Sequence, residues 1–223
     1  MKIRIGVGTG GGFASAETLL ELVAGLDALG FDSLWLSEVL TGPVVDPLIG
    51  LAWAAASNPR LKIGTTALLP GRNVLRLAKQ LASLDRLSGG RLLVTLVPGL
   101  TYAPERLAIG VEPKQRGAVV DDAMPLLRRL WAGETVSQEG PAGRFHDVRL
   151  SPLPLQQPLE MWLGGTAPAA LELTPVGYPA LRQTIERFIA VGFSKFVVRP
   201  LVAPRSWRAE LEALAAAVGD LQT

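Results

Sequence analysis

Two glycines and a hydroxyl side chain separate an apolar run from a helical pattern in the second half of the chain. The segment reads WLGGTAPAALE over 162–172, with Gly164, Gly165 and Thr166 placed before a helix that begins near Pro168. Free backbone N–H groups and the helix dipole at such a position favour a phosphate. The alternative is a tight turn in which the glycines serve only chain reversal. The pattern therefore predicts a candidate phosphate site.

A carboxylate and a guanidinium follow two other apolar runs. Glu38 closes the run SLWLSEV, and Arg72 follows the run LKIGTTALL after Pro70 and Gly71. Ligands of parallel α/β folds lie at the carboxyl ends of the strands, so Glu38 could face a substrate and Arg72 could hold an anion. The alternatives are a structural acid paired with an arginine, and a residue that only begins a helix. Small and hydroxyl residues mark the other run ends: Gly8, Ser37, Thr65, Thr66, Ala67 and Gly99.

The composition of the 223 residues excludes much of the common catalytic apparatus. There is no cysteine, which removes disulfides, thiolate nucleophiles and zinc–thiolate sites. The single histidine, His146, lies in a polar stretch away from any strand end, which argues against a Ser–His–Asp triad. The chain is therefore expected to be a binding protein, or an enzyme whose chemistry resides in an organic cofactor.

The charge balance and the hydropathy limit the partners. Lys and Arg number 22 against 20 Asp and Glu, which provides no electrostatic footprint for nucleic acid. The amino terminus lacks the apolar stretch of a signal peptide, and the longest apolar run, at about 48–56, is half a membrane span. We expect a cytoplasmic protein that contacts neither nucleic acid nor membrane and acts on a small molecule.

Four candidate strands, with a helical pattern between each and the next, occupy the first hundred residues. Candidate strands begin near Lys2, Ser33, Leu61 and Arg91, about 30 residues apart, and helical patterns lie between them. This spacing predicts parallel strands with right-handed helical crossovers. The stretch 102–157, with one clear helix over 116–131, is interpreted as an insertion. A strand over 159–163 follows, then a helix over 178–191, a strand over 195–199 and a helix over 206–218. Six strands fit either an open sheet or part of a closed barrel.

The whole pattern resembles the luciferase-like monooxygenase superfamily, in particular its deazaflavin (coenzyme F420)-dependent oxidoreductases. The segments that carry the resemblance are LGFDSLWLSE, LKIGTTALLPGRN, LAKQLASLDRLSGGRLLVTLVPG and PLPLQQPLEMWLGG. The resemblance implies a single (β/α)₈ TIM-barrel domain over 1–223, with the insertion at 102–157. It also implies hydride transfer or oxygen activation on coenzyme F420, or alternatively on FMN, bound at the barrel mouth.

The resemblance also assigns roles to individual residues. It places Gly164, Gly165 and Thr166 on a phosphate-binding turn, and Thr65, Thr66 and Ala67 on a strand bulge that supports the cofactor ring. It further implies Gly99 as a cofactor contact, Glu38 as a catalytic acid, a non-proline cis peptide at Thr66–Ala67, and a homodimer formed through the helix at 46–56.

Two departures from the family pattern keep other interpretations open. Val39 follows Glu38, where some deazaflavin dehydrogenases carry a histidine. About two βα units, containing strands six and seven, are absent after Glu172, so we expect either a missing segment near 172–173 or a true deletion. The favoured hypothesis is a cofactor-dependent oxidoreductase. The alternatives are a degenerate, non-catalytic cofactor-binding homologue and an unrelated phosphate-ligand α/β enzyme such as an isomerase.

Overall fold

A computed structural model describes residues 1–9, 15–99, 103–164 and 174–223. The strands are β1 (Arg4–Gly8), β2 (Ser33–Ser37), β3 (Lys62–Leu68), β4 (Leu92–Val97), β5 (Thr135–Gly140), β6 (Gly143–Arg149), β7 (Met161–Leu163) and β8 (Lys195–Val198). The helices are α1 (Ala16–Ala28), α2 (Pro47–Ser57), α3 (Val74–Leu87), α4 (Ala103–Ala108), α5 (Arg116–Trp131), α6 (Tyr178–Ala190) and α7 (Trp207–Val218).

Six of these strands form one parallel sheet in the order β7-β4-β3-β2-β1-β8. Each of the first three helices begins at a side-chain cap: Ser15, Asp46 and Asn73 accept hydrogen bonds from backbone N–H groups of the first turn. The strands are short and apolar because helices cover their outer face, where a continuous core includes Ile63, Leu77 and Leu81. The predicted α/β units are confirmed, with boundaries that differ by about two residues.

The sheet curls, and its two edge strands face each other across an opening. The Nζ atom of Lys195 on β8 lies 5.9 Å from the ring centre of Trp162 on β7. Along the part of the chain that the structure describes, however, β7 and β8 are not paired. Leu163 is 58% exposed and Val197 is 48% exposed on these edges. The sheet is therefore an open half-barrel, as expected of a barrel without two of its strands. The junction after β7, at 165–173, lies outside the described residues.

The stretch 102–157 is more ordered than the polar loop that the sequence predicted after its one helix. β5 and β6 form an antiparallel hairpin there, separate from the main sheet. Val136 and Phe145 are buried on one face of this hairpin, while most of the other side chains are exposed. The mixed Gly, Pro and charged composition hid the two-residue alternation that marks a half-buried ribbon.

The predicted cis peptide at Thr66–Ala67 is wrong. The cis bonds in the described residues are Ser151–Pro152 and Gln157–Pro158. β3 keeps one register with β2 and one with β4 throughout, so it contains no bulge at these residues. Regular ladders on both sides hold this part of β3 in the ordinary extended conformation.

Candidate functional site at the carboxyl ends of the strands

The carboxyl ends of the six parallel strands meet at one rim of the half-barrel, which we call the mouth. Gly8, Ser37 and Thr66 lie at this rim on three neighbouring strands. Gly8 has no side chain, and those of Ser37 and Thr66 are small. Thr9 continues β1, is 9% exposed, and donates its backbone N–H to the carbonyl oxygen of Trp35 at 3.2 Å.

Glu38 is buried at the mouth, but its carboxylate is bound from two sides. Oε2 accepts the backbone N–H of Leu68 at 2.8 Å, and Oε1 forms an ion pair with Nη2 of Arg72 at 2.5 Å. The Glu38 side chain is 7% exposed and that of Arg72 is 21% exposed. The structure thus shows the arrangement that the sequence left as an alternative for Glu38, a structural acid paired with an arginine. A catalytic role for Glu38 remains a prediction.

Arg72 has a donor that no protein atom uses. Its Nε is buried and has no acceptor in the described part of the chain. A buried guanidinium donor without an acceptor is costly, so this atom is suited to a carbonyl or anionic oxygen of a bound molecule. Arg72 therefore does more than begin a helix, because it pairs with Glu38 at the mouth and keeps one donor that no described protein atom uses.

The three candidate residues of β3 lie on opposite faces of the sheet. Thr65 and Ala67 are fully buried and share their face with Ile63, which belongs to the core under the helices. Thr66 is half-buried and lies on the inner face, as the alternation of a strand requires. The Thr65 hydroxyl is buried and has no hydrogen-bond partner among the described residues. Only Thr66 can therefore present its side chain to a ligand in the half-barrel.

Gly99 follows β4 with φ +147°, and the guanidinium of Arg116 occupies the space that a Cβ would need. Arg116 is 6% exposed and donates from its guanidinium to the carbonyl oxygens of Val111 and Arg106. This packing already requires a glycine, because φ in this range is strained for other residues. Cofactor contact by Gly99 remains a prediction.

Gly164 is held close to β4 at the end of β7. Its N–H donates to the carbonyl oxygen of Leu96 at 2.8 Å, and a Cβ there would lie 2.8 Å from Cγ2 of Thr95. Close approach of two strands therefore explains this glycine. Gly165 and Thr166, the other two residues of the predicted phosphate turn, lie outside the described residues.

The two sequence segments that best carried the resemblance are joined by hydrogen bonds. Asp85, of the segment LDRLSGGR, is fully buried. It accepts the backbone N–H groups of Leu155 and Gln156 at 2.7 and 2.9 Å and the Gln156 side-chain amide at 2.6 Å. Arg91, from the same segment, donates to the carbonyl oxygens of Ser88, Leu61 and Ala55. These motif residues fix helices and loops to the sheet. They are not at the mouth.

Glu105 is a buried acid that the sequence did not single out. Its Oε1 accepts the backbone N–H of Thr41 at 2.8 Å and the Thr41 hydroxyl at 2.7 Å, and its Oε2 has no partner in the described residues. Burial opposes ionisation, but the hydrogen bonds from Thr41 and the backbone of Leu40 outweigh it and lower the pKa of Glu105. No periodic or motif signal marks this residue, because its role depends on a contact 64 positions away.

The single histidine lies on the β5–β6 hairpin, away from the strand ends that form the mouth. His146 is exposed on the hairpin, 3.6 Å from Asp147, as expected of a surface histidine. Among the described residues, no group of three His, Cys, Asp or Glu could hold a metal ion. Within those same residues, no helix combines the length and apolarity needed to cross a membrane.

Known proteins similar to this chain include flavin-dependent and deazaflavin-dependent enzymes. Limonene 1,2-monooxygenase from Rhodococcus erythropolis is 36% identical over 124 residues, covering 54% of this chain and 32% of the relative. F420-dependent glucose-6-phosphate dehydrogenase from Kineococcus radiotolerans is 29% identical over 171 residues, covering 70% of this chain and 50% of the relative. The chain thus spans about a third to a half of the length of these curated relatives.

Solved structures show the same fold. The monooxygenase RslO1 from Streptomyces bottropensis superposes with a TM-score of 0.70 at 25% identity, covering 98% of this chain and 81% of that one. Coenzyme F420-dependent tetrahydromethanopterin reductase from Methanopyrus kandleri superposes with a TM-score of 0.65 at 16% identity, covering 89% of this chain and 65% of that one. The predicted fold class, a barrel of this type with units absent, is confirmed.

The family model described as luciferase-like monooxygenase matches residues 1–175, which include β1 to β7. This match covers most of the chain. The chain belongs to the luciferase-like monooxygenase family.

Proposed function

We propose that this chain binds a deazaflavin of the F420 type, or alternatively FMN, at the mouth and acts as an oxidoreductase on a small organic molecule. The observation that carries the proposal is Arg72, a guanidinium fixed by the buried Glu38 and left with a buried Nε that has no acceptor in the described residues. A ligand with carbonyl or anionic oxygens satisfies that donor, and a flavin or deazaflavin has both kinds of oxygen.

The residues of the mouth fit such a group. Arg72 would donate to an oxygen of the cofactor, and Thr66 would contact it from the inner face of β3. Gly164, with Gly165 and Thr166, would receive its phosphate through backbone N–H groups. Thr65 and Ala67 face the core, so they would contribute through the backbone and through the packing that holds β3 in place. Gly99 would shape the rim beside Arg116.

When bound, the cofactor supplies the hydride transfer or the oxygen chemistry, which the side chains of this protein lack. The protein orients it. Glu38 keeps Arg72 in one position because its carboxylate is itself held by the N–H of Leu68 at 2.8 Å. A preorganised donor of this kind stabilises negative charge without reorganisation during the reaction. Glu38 is therefore a positioning residue in this mechanism.

The similar proteins include enzymes named for each of the two cofactors. One is named for F420, and another, from Pseudomonas putida, is an FMNH2-dependent dimethylsulfone monooxygenase that is 35% identical over 123 residues. A second candidate function is non-catalytic cofactor binding. It is favoured by the engaged Glu38 carboxylate, by Val39 in the following position, and by the open side of the half-barrel. We expect the protein to act in the cytoplasm.

Separate titrations of the purified protein with F420 and with FMN, followed by cofactor fluorescence, test the proposal. We expect one of them to bind with micromolar affinity, and Arg72→Gln to weaken that binding about tenfold, which corresponds to a hydrogen bond to a charged donor. Arg76→Gln, an exposed arginine on α3, is the matched control and should leave affinity unchanged.

Two results decide between the outcomes. If neither cofactor binds, or if Arg72→Gln binds as tightly as the unmodified protein, the proposed site is wrong. If the cofactor binds but is neither reduced nor oxidised by any of a panel of small alcohols, aldehydes and sulfones, the non-catalytic candidate replaces the enzyme.

A further inference from the structure

The inside of the half-barrel contains a cavity whose lining includes none of the candidate site residues at the mouth. It has a volume of about 210 Å³ and lies at the amino-terminal half of the strands, on the side left open between β7 and β8. In a complete barrel, layers of side chains fill this region. In this half-barrel one of the lining residues is Gly6, which has no side chain, and the cavity is open between β7 and β8.

The polar part of the lining carries a surplus of positive charge. Arg4, Lys62 and Lys195 line the cavity together with one carboxylate, Asp32. Lys62 Nζ lies 2.9 Å from Asp32 Oδ1, and Arg4 Nε lies 3.8 Å from the same oxygen. No carboxylate in the described residues is within ion-pair distance of Lys195. An anion entering the cavity would therefore meet an ammonium group that has no competing carboxylate.

The apolar part of the lining contains two tryptophans, Trp35 and Trp162, beside Phe196, Leu93 and Val197. Trp35 packs over Gly6 and Gly64, where any Cβ would collide with its indole or with Ser33, and its N–H donates to the Ser33 hydroxyl at 3.0 Å. Trp162 is 38% exposed on the edge strand β7, with Lys195 Nζ 5.9 Å from its ring centre. A planar ring can pack against an indole while an attached anionic group reaches the ammonium.

We propose that this cavity binds a small aromatic carboxylate, with its ring against Trp162 and Trp35 and its carboxylate at Lys195. The volume suits one ring, since a cavity of about 150 Å³ can hold benzene. The charged end of the site is separate from the mouth, because Arg4, Lys62 and Lys195 begin their strands, whereas Arg72 lies beyond the end of β3.

Titration with 4-fluorobenzoate, followed by ¹⁹F NMR line broadening, tests this site. We expect saturable binding with a dissociation constant below about 5 mM, which is typical of a single small anion in a half-open cavity. Lys195→Gln should weaken binding about fivefold, as expected of one partly exposed ion pair. Lys114→Gln, which removes an exposed lysine outside the cavity, should bind as the unmodified protein does.

Three further measurements separate this site from nonspecific attraction and from the mouth. Trp162→Leu should weaken binding of both 4-fluorobenzoate and the neutral 4-fluorobenzyl alcohol, whereas Lys195→Gln should affect only the carboxylate. Circular dichroism checks that each variant is folded. The proposal is overturned if no saturable binding occurs, if Lys195→Gln binds like Lys114→Gln, or if saturating FMN or F420 displaces the fluorobenzoate.

Discussion

Replacing Asp85 should destabilise the protein more than any other single change to its family motif. The carboxylate is fully buried between α3 and the segment 153–158, which leads into β7. It accepts three hydrogen bonds, two from the backbone N–H groups of Leu155 and Gln156 and one from the Gln156 side chain. Loss of the carboxylate therefore leaves buried donors without an acceptor and frees the segment that positions Trp162 and Gly164.

The size of the expected stability loss depends on which hydrogen-bond donors lose their acceptor. In Asp85→Ala the two backbone N–H groups have no replacement acceptor, at about 1–3 kcal/mol each, whereas the Gln156 amide keeps its bond to the Leu92 carbonyl oxygen at 2.8 Å. We expect a loss of about 3–5 kcal/mol. In Asp85→Asn the amide oxygen can keep both backbone donors, but its NH₂ then faces the Gln156 NH₂, so we expect a loss of about 1–2 kcal/mol.

Urea unfolding at pH 7, followed by far-ultraviolet circular dichroism, ranks these variants by their free energy of unfolding. With a slope of about 2–3 kcal/mol per molar, a loss of 4 kcal/mol lowers the midpoint by about 1.5 M. The exposed Asp121→Ala is the control and should change stability by less than about 0.5 kcal/mol. If Asp85→Ala unfolds at the control midpoint, or if Asp85→Asn is as damaging as Asp85→Ala, the hydrogen-bond reasoning is refuted.

Two other predictions address association and pH. Ile49 and Trp53 are 72% and 45% exposed on one face of α2, so we expect a homodimer through this helix. In sedimentation velocity, Trp53→Arg should behave as a 23.7 kDa monomer, while the control Leu87→Arg should remain dimeric. A monomeric unmodified protein would contradict this prediction. Folding lowers the pKa of Glu105 from its ordinary value of 4.5. Ionised Glu105 therefore stabilises the folded protein above pH 4.5, and this stabilisation is lost as the pH falls through the pKa of the folded state. Glu105→Gln should cost about 1 kcal/mol at pH 7. Its urea midpoint should approach that of the unmodified protein as acidification protonates Glu105; a difference that is constant with pH would show that ionisation is not the cause.

The elements that local patterns specify were predictable. The 30-residue spacing of the candidate strands and the helical patterns between them predicted the first four strands and the first three helices. The structure shows that Ser15, Asp46 and Asn73 cap these helices. Each of these features depends on residues a few positions apart, which is why the sequence alone displays it. The β5–β6 hairpin was missed, because two short, mostly exposed strands leave a weak alternation.

For the candidate site too, the residue types could be interpreted from the sequence, whereas the contacts between distant residues could not. Residue types alone indicated a binding protein or an enzyme that depends on a cofactor, since a chain without cysteine and with one histidine has little chemistry of its own. The partners of the site residues could not be predicted. Glu38 meets Arg72 across 34 positions, Asp85 meets Gln156 across 71, and Trp162 approaches Lys195 only because the sheet curls. Long-range pairs of this kind are set by strand order and sheet curvature, so the sequence determined the kind of chemistry and the tertiary structure decided which groups remain free to take part in it.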